Sequence, residues 1–254
     1  MTATQLLPVV WTLASMTVAV LAILLVSPTQ LDRWRATTGG RLLEQFVRLV
    51  YFIGVPYAAL LTGSIAAIDM GLTGADGSIL GWSAADWLHS LGTALTLGVI
   101  VLLPIGAAGR QMARAERPLG GDDRSAGAVI VEAIYAEIHW AFYRAAPLIL
   151  LGEAYAAVLF GALLVGLEWL VELIRNGLSP LPEERQRWLR RGVLLALSAA
   201  LFALTQNVWL AIGLHAALEL LWKVWLRHLA PRPLRLEHAP LGPVPDPDVR
   251  PLRD

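Results

Sequence analysis

The stretch LTQNVWLAIGLHAALELL, Leu204 to Leu221, sets His215 and Glu219 inside an otherwise apolar run of membrane length. Four residues apart, the two share one helical face about a turn apart. An ionisable group at bilayer depth costs about 2.5–3.5 kcal/mol on insertion scales, so it persists only where an interior partner or a function offsets that cost. Gln206 and Asn207 stand where this helix begins, and their side chains suit a polar turn or a cap.

Hydrophobic residues make up 56% of the 254 and charged residues 16%, with a mean hydropathy of +0.59. A water-soluble domain of this size could not cover that balance with polar surface. The chain therefore reads as a polytopic membrane protein whose first partner is the lipid bilayer. Lys plus Arg equals Asp plus Glu at 20 each, so no basic excess points to nucleic acid. Cysteine is absent, which excludes disulfides, thiolate metal ligands and a cysteine nucleophile. The opening residues MTATQLLP lack a positive n-region, and the apolar run after them is expected to be retained as a spanning helix.

A spanning helix needs roughly 20 mostly apolar residues, and on that measure the chain is an all-α bundle of about seven transmembrane helices, at about 7–27, 46–68, 86–107, 128–147, 151–174, 191–206 and 208–227. Arginines cluster after the first, third and fifth spans, and Lys223, Arg227, Arg232 and Arg235 mark the end of the seventh. The segments after the second, fourth and sixth carry no Lys or Arg beyond Arg144 at a helix end. The positive-inside rule then predicts an outside N-terminus and a cytoplasmic C-terminus. Residues 1–228 form the bundle, while the proline-rich 229–254 segment predicts a disordered, solvated cytoplasmic tail. Pro56 beside Gly54 predicts a kink in the second span.

The fourth span, AVIVEAIYAEIHWAFYRAAP, carries Glu132, Glu137, His139 and Arg144. Glu137 and Arg144 share one face, Glu132 and His139 a nearly opposite one, so the helix requires two inward contacts. Counting depth at about 1.5 Å per residue, with this helix ending at Pro147, puts Glu137 and His139 level with His215 and Glu219. Glu168 on the fifth span then falls too near the cytoplasm to join them. The four are expected to form one interior cluster, with heavy atoms about 4–8 Å apart, able to bridge a water or a divalent metal. The alternative is that they are packing contacts of a buried bundle. Glu132 and Glu172, near helix ends, are expected to snorkel toward the headgroups.

The closing hairpin, with Asn207 in a turn and His215 four residues before Glu219, resembles the last motif of the CAAX-protease and bacteriocin-processing (CPBP) family of intramembrane proteases, whose pattern is His-x-x-x-Asn or Asp. Glu219 stands where that pattern has Asn or Asp. The family's opening Glu-Glu-x-x-x-Arg is matched by Glu137 and Arg144 at a longer spacing, with Ala136 in place of the first Glu and an added His139. The Phe-x-x-x-His motif of the next helix finds Phe160 but Leu164 where the histidine would stand. The resemblance covers about residues 128–228.

It implies a helical bundle of a bacterial inner membrane that cleaves a peptide bond in a membrane-protein or peptide substrate by a glutamate-activated water. Carried onto this chain, Glu137 is the general base, and His215 orients water or stabilises the oxyanion. Glu219 holds the tautomer of His215, His139 substitutes for the missing histidine, and Arg144 and Asn207 support the site. A non-catalytic membrane scaffold or complex subunit is the competing expectation, and a transporter a third.

Overall fold

Helix follows helix along this chain because apolar runs are punctuated by caps and glycines rather than by strand-forming alternation. The computed structural model describes residues 3–114, 124–177 and 182–229, and among them there is no strand. The helices are α1 (Ala3–Leu25), α2 (Pro28–Arg35), α3 (Thr38–Leu49), α4 (Val55–Leu61), α5 (Ala84–Arg114), α6 (Ala126–Leu151), α7 (Ala154–Arg175), α8 (Pro182–Thr205) and α9 (Val208–Leu229), with a π-helical turn, Val50–Gly54, between α3 and α4. Among the described residues six helical segments are long and apolar enough to cross a membrane: α1, the continuous α3–α4 segment, α5, α7, α8 and α9. No more than 33% of any of their apolar windows is buried. Most of their hydrophobic surface therefore faces outward, as lipid requires of a multi-pass membrane protein and water does not allow.

The helix α6 is the exception that organises the rest. Its 26 residues span about 39 Å, but Glu132, Glu137 and Arg144 keep it out of the apolar set. Instead it is the central helix. Trp140 to Ala146 are buried without interruption, so over these two turns the helix is enclosed on every side. It packs against α1, α4, α7, α9 and the π-helical turn. Ser125 caps its N-terminus, with Oγ accepting from the Ala128 amide at 3.1 Å. Gly152, at φ +67°, ends it in the left-handed conformation that glycine adopts without strain.

Several boundaries differ from the sequence expectation, each for a local reason. The fourth span, expected to stop at Pro147, continues through that proline to Leu151. The second span, expected over 46–68, begins at Thr38 and ends at Leu61. Its expected distortion at Pro56 takes the form of the π-helical turn: Pro56 has no amide hydrogen and its ring crowds the preceding turn, which the wider i→i−5 geometry accommodates. The expected tail lies, from residue 230 on, outside the described residues.

After Leu61 the chain forms a non-helical cap over residues 62–83, burying Ile65 and Met70. Gly71, at φ +70°, accepts the Val208 amide at 3.0 Å, and the Leu72 carbonyl accepts the Trp209 indole at 3.0 Å. The cap is thus fastened to the α8–α9 turn. At its exposed tip, the amide and hydroxyl of Ser78 donate to Asp76 and hold that carboxyl below the usual range. This cap marks one end of the bundle. The other end carries Arg35, Arg48, Arg124, Arg175, Arg187, Arg190 and Arg191.

Close approach of α6 and α7 depends on Gly161. A Cβ there would lie 2.6 Å from Arg144 Cγ and 3.1 Å from its Cα, whereas Gly166 on the same helix has open space. Gly161→Ala is expected to cost about 1–3 kcal/mol by overpacking, while Gly166→Ala should leave stability unchanged. Thermal unfolding in detergent micelles measures both, and equal melting temperatures would contradict this account of the contact.

Candidate functional site

The Glu137 carboxylate is fully buried and engaged at both oxygens. Oε1 lies 2.9 Å from His215 Nδ1 on α9. Oε2 accepts the Ser198 hydroxyl of α8 at 2.5 Å and stands 3.8 Å from the Arg144 guanidinium. Arg144 also donates to Ser198 Oγ at 3.2 Å and lies over the Phe202 ring, 4.2 Å from its centroid. One face of α6, presenting positions 137 and 144, is thereby tied to α8 and α9. A carboxylate at Nδ1 fixes the hydrogen there, which leaves Nε2 of a neutral His215 as a proton acceptor. Trp140 stacks on the imidazole at 5.5 Å and 20°, restricting its rotation.

The opposite face of α6 carries His139 to a different partner. Its Nε2 lies 3.5 Å from Glu168 Oε2 on α7. Glu168 Oε1 accepts from the hydroxyls of Tyr143 and, at 3.1 Å, Tyr51. Glu168 was expected too far along its helix for this. Because α6 continues to Leu151, His139 lies about three turns from the α6–α7 turn and Glu168 about four, which brings them level. Tyr51 and Phe52, neighbours in the π-helical turn, both approach the His139 ring, with centroids 5.0 and 5.2 Å away.

Glu219 joins neither pair. It lies 3.0 Å from Arg124 and 3.2 Å from Arg190, and the contact to His215 that was expected to hold its tautomer is made, at Nδ1, by Glu137 instead. Glu219 sits one turn closer than His215 to the arginine-rich end, where guanidinium groups are in reach. Asn207 is completely buried and caps α9, its Oδ1 accepting the amides of Trp209 at 3.0 Å and Leu210 at 3.3 Å. The expected single cluster of four therefore resolves into three groupings. Among the described residues no three His, Asp or Glu side chains come together in a way that could hold a metal ion.

What unites the groupings is a cavity of about 1090 Å³ open toward the arginine-rich end. His139, His215, Glu168 and Glu219 all line it, and Glu137 stands behind His215 without reaching it. Near the mouth, charges are matched across helices, with Arg35 on Glu44, Arg48 on Glu132 and Arg191 on Glu172. The last two glutamates, expected to snorkel, are half-exposed ion-pair partners. None of the lining residues comes from the 62–83 cap or the α8–α9 turn, so the cavity ends inside the bundle.

Comparison with protein-family models, with characterised proteins and with solved structures finds no match for this chain. Sequence reasoning passed over Ser198 and Tyr143, which complete the two pairs. The small-residue run Ser198–Ala199–Ala200 on α8 was the available signal for the first, since such runs let helices approach closely. Arg144→Leu is expected to cost about 3–5 kcal/mol by stranding a buried carboxylate, and adding Glu137→Leu to that variant should restore part of the loss. Denaturant unfolding in micelles gives both values. A double variant no more stable than the single one would contradict the pairing of Glu137 with Arg144.

Proposed function

We propose that the protein is an intramembrane hydrolase of the CPBP type that cleaves a peptide bond. The observation that carries this reading is the 2.9 Å contact of buried Glu137 with His215, with the imidazole on the cavity and the carboxylate behind it. In this arrangement His215 Nε2 takes a proton from a water as its oxygen attacks the carbonyl carbon, and Glu137 orients the ring and stabilises its charged form. That differs from the role the family resemblance implies for Glu137, because a glutamate with both oxygens occupied and no surface on the cavity acts through its histidine. The loop arginines support an outside N-terminus and a cytoplasmic C-terminus, so that the cavity opens to the cytoplasm, and the family resemblance implies a bacterial inner membrane.

One observation favours the non-catalytic scaffold: Glu137, Arg144, Ser198 and His215 form a mutually bonded buried network, as a purely structural core would also contain. The two readings separate in proteoliposomes charged with a bacterial membrane-protein extract. The wild-type protein is expected to generate new peptide N-termini, detected by mass spectrometry, that are lost in His215→Ala and in Glu137→Gln. Identical N-termini from wild type and His215→Ala, with only a lowered melting temperature, would establish the scaffold instead.

A further inference from the structure

The grouping around His139 is left unused by that mechanism, and its geometry is not that of a settled packing contact. His139 is 2% exposed, yet neither ring nitrogen has a hydrogen-bond partner. Its approach to Glu168, 3.5 Å, is longer than a hydrogen bond. Buried polar groups in this state are uncommon and ask for an explanation, and contacts that tighten only when substrate arrives are one. Glu168 itself is firmly held by Tyr143 and Tyr51, and Tyr51 in turn by Tyr143 at 3.3 Å and the Ser15 carbonyl at 3.4 Å. The carboxylate is fixed while the imidazole beside it is not. Moreover, two of the three rings facing His139, Tyr51 and Phe52, come from a π-helical turn, a distortion that recurs at functional sites, while the third, Tyr143, lies on α6.

We propose, resting on the hydrolytic reading above, that His139 is a substrate-binding residue and Glu168 its positioning residue. Glu168 lies on the Nε2 side and takes the hydrogen of that nitrogen, which makes Nδ1 the acceptor for a peptide N–H of the bound substrate. His215 and His139 then hold the two sides of one peptide segment. Both residues border the same cavity, the residue next to His139 on α6, Trp140, is the one stacked on His215, and the His139 nitrogens, enclosed in the cavity wall, come within reach of a substrate when the ring turns. The site so defined selects an extended backbone with a free N–H rather than an ester or a fully N-alkylated amide.

Glu168→Gln tests the positioning role by inverting donor and acceptor. Its carbonyl must serve the tyrosine hydroxyls, so its amide hydrogens face His139 Nε2, and the imidazole is driven to the tautomer with hydrogen on Nδ1. On a peptide identified by its new N-terminus, KM is expected to rise about tenfold while kcat stays within about twofold, as for loss of a contact made equally in ground and transition states. N-methylation of that substrate amide should raise KM for the wild type and not for the variant. An unchanged KM in Glu168→Gln overturns the proposal.

The apolar variant His139→Phe gives a reading that needs no substrate. It removes the under-bonded imidazole and leaves the Glu168 carboxylate on its tyrosine hydroxyls, so its melting temperature is expected to equal or exceed that of the wild type. A melting temperature lowered by more than about 5 °C would make the pair a packing element and overturn the proposal. A wild-type protein that cleaves nothing overturns the hydrolytic reading, and with it the assignment of a peptide to His139.

Discussion

An ion pair cannot be left facing hydrocarbon, and the Glu137–Arg144 pair on α6 imposes that constraint on the whole bundle. Its members lie two turns apart on one face of a helix long enough to cross a membrane. Enclosing them requires helices on that face, and α8 and α9 supply Ser198, Phe202 and His215 at positions that contact the two charged groups. The opposite face, with Glu132 and His139, requires a second set of partners, which come from α3, the π-helical turn and α7. With both faces taken, α6 becomes the axis of the molecule. The more apolar helices arrange themselves around it and present their remaining surface to lipid.

The same constraint explains why the polar groups converge on an interior space. Two carboxylate–histidine pairs on opposite sides of one helix draw α7 and α9 toward α6 at one level, while toward the arginine-rich end charged side chains line the space between the helices. Because most of those charges face an opposite partner across the gap, the mouth combines high polarity with local charge balance. Farther in, the lining changes to Trp140, Trp169 and Val165. An entering molecule thus passes from a hydrated, ion-paired rim to an aromatic interior with two imidazoles.

Much of this was legible in the residues. Membrane-length apolar runs gave the helices, the seven-residue spacing of Glu137 and Arg144 gave one face of α6, and the Asn207 turn before His215 gave the final hairpin. What failed was depth. Pro147 was read as a helix end, although a proline inside a membrane helix is tolerated when neighbouring groups satisfy the freed carbonyl. That four-residue error set Glu168 aside, whereas Glu219 was drawn into the cluster by sharing a face with His215, although Arg124 and Arg190 hold it elsewhere. Tyr51 was hidden for another reason: its approach to His139 follows from a π-helical turn, and the regular 3.6-residue repeat used to assign faces does not describe such a turn. The cavity was not legible at all, since it is a gap between helices and belongs to no one segment.

The hydrogen bonds from Val208 and Trp209 to the 62–83 cap carry a consequence for traffic. They close the far end of the bundle, so the interior offers no passage through to the cap side. What enters from the arginine-rich end does not leave at the opposite one. A long strand cut near the blind end would have to back out past Trp140 and the charged rim before a successor could take its place. In such a blind vessel the length of the fragment, more than its chemistry, sets how soon the space is free again.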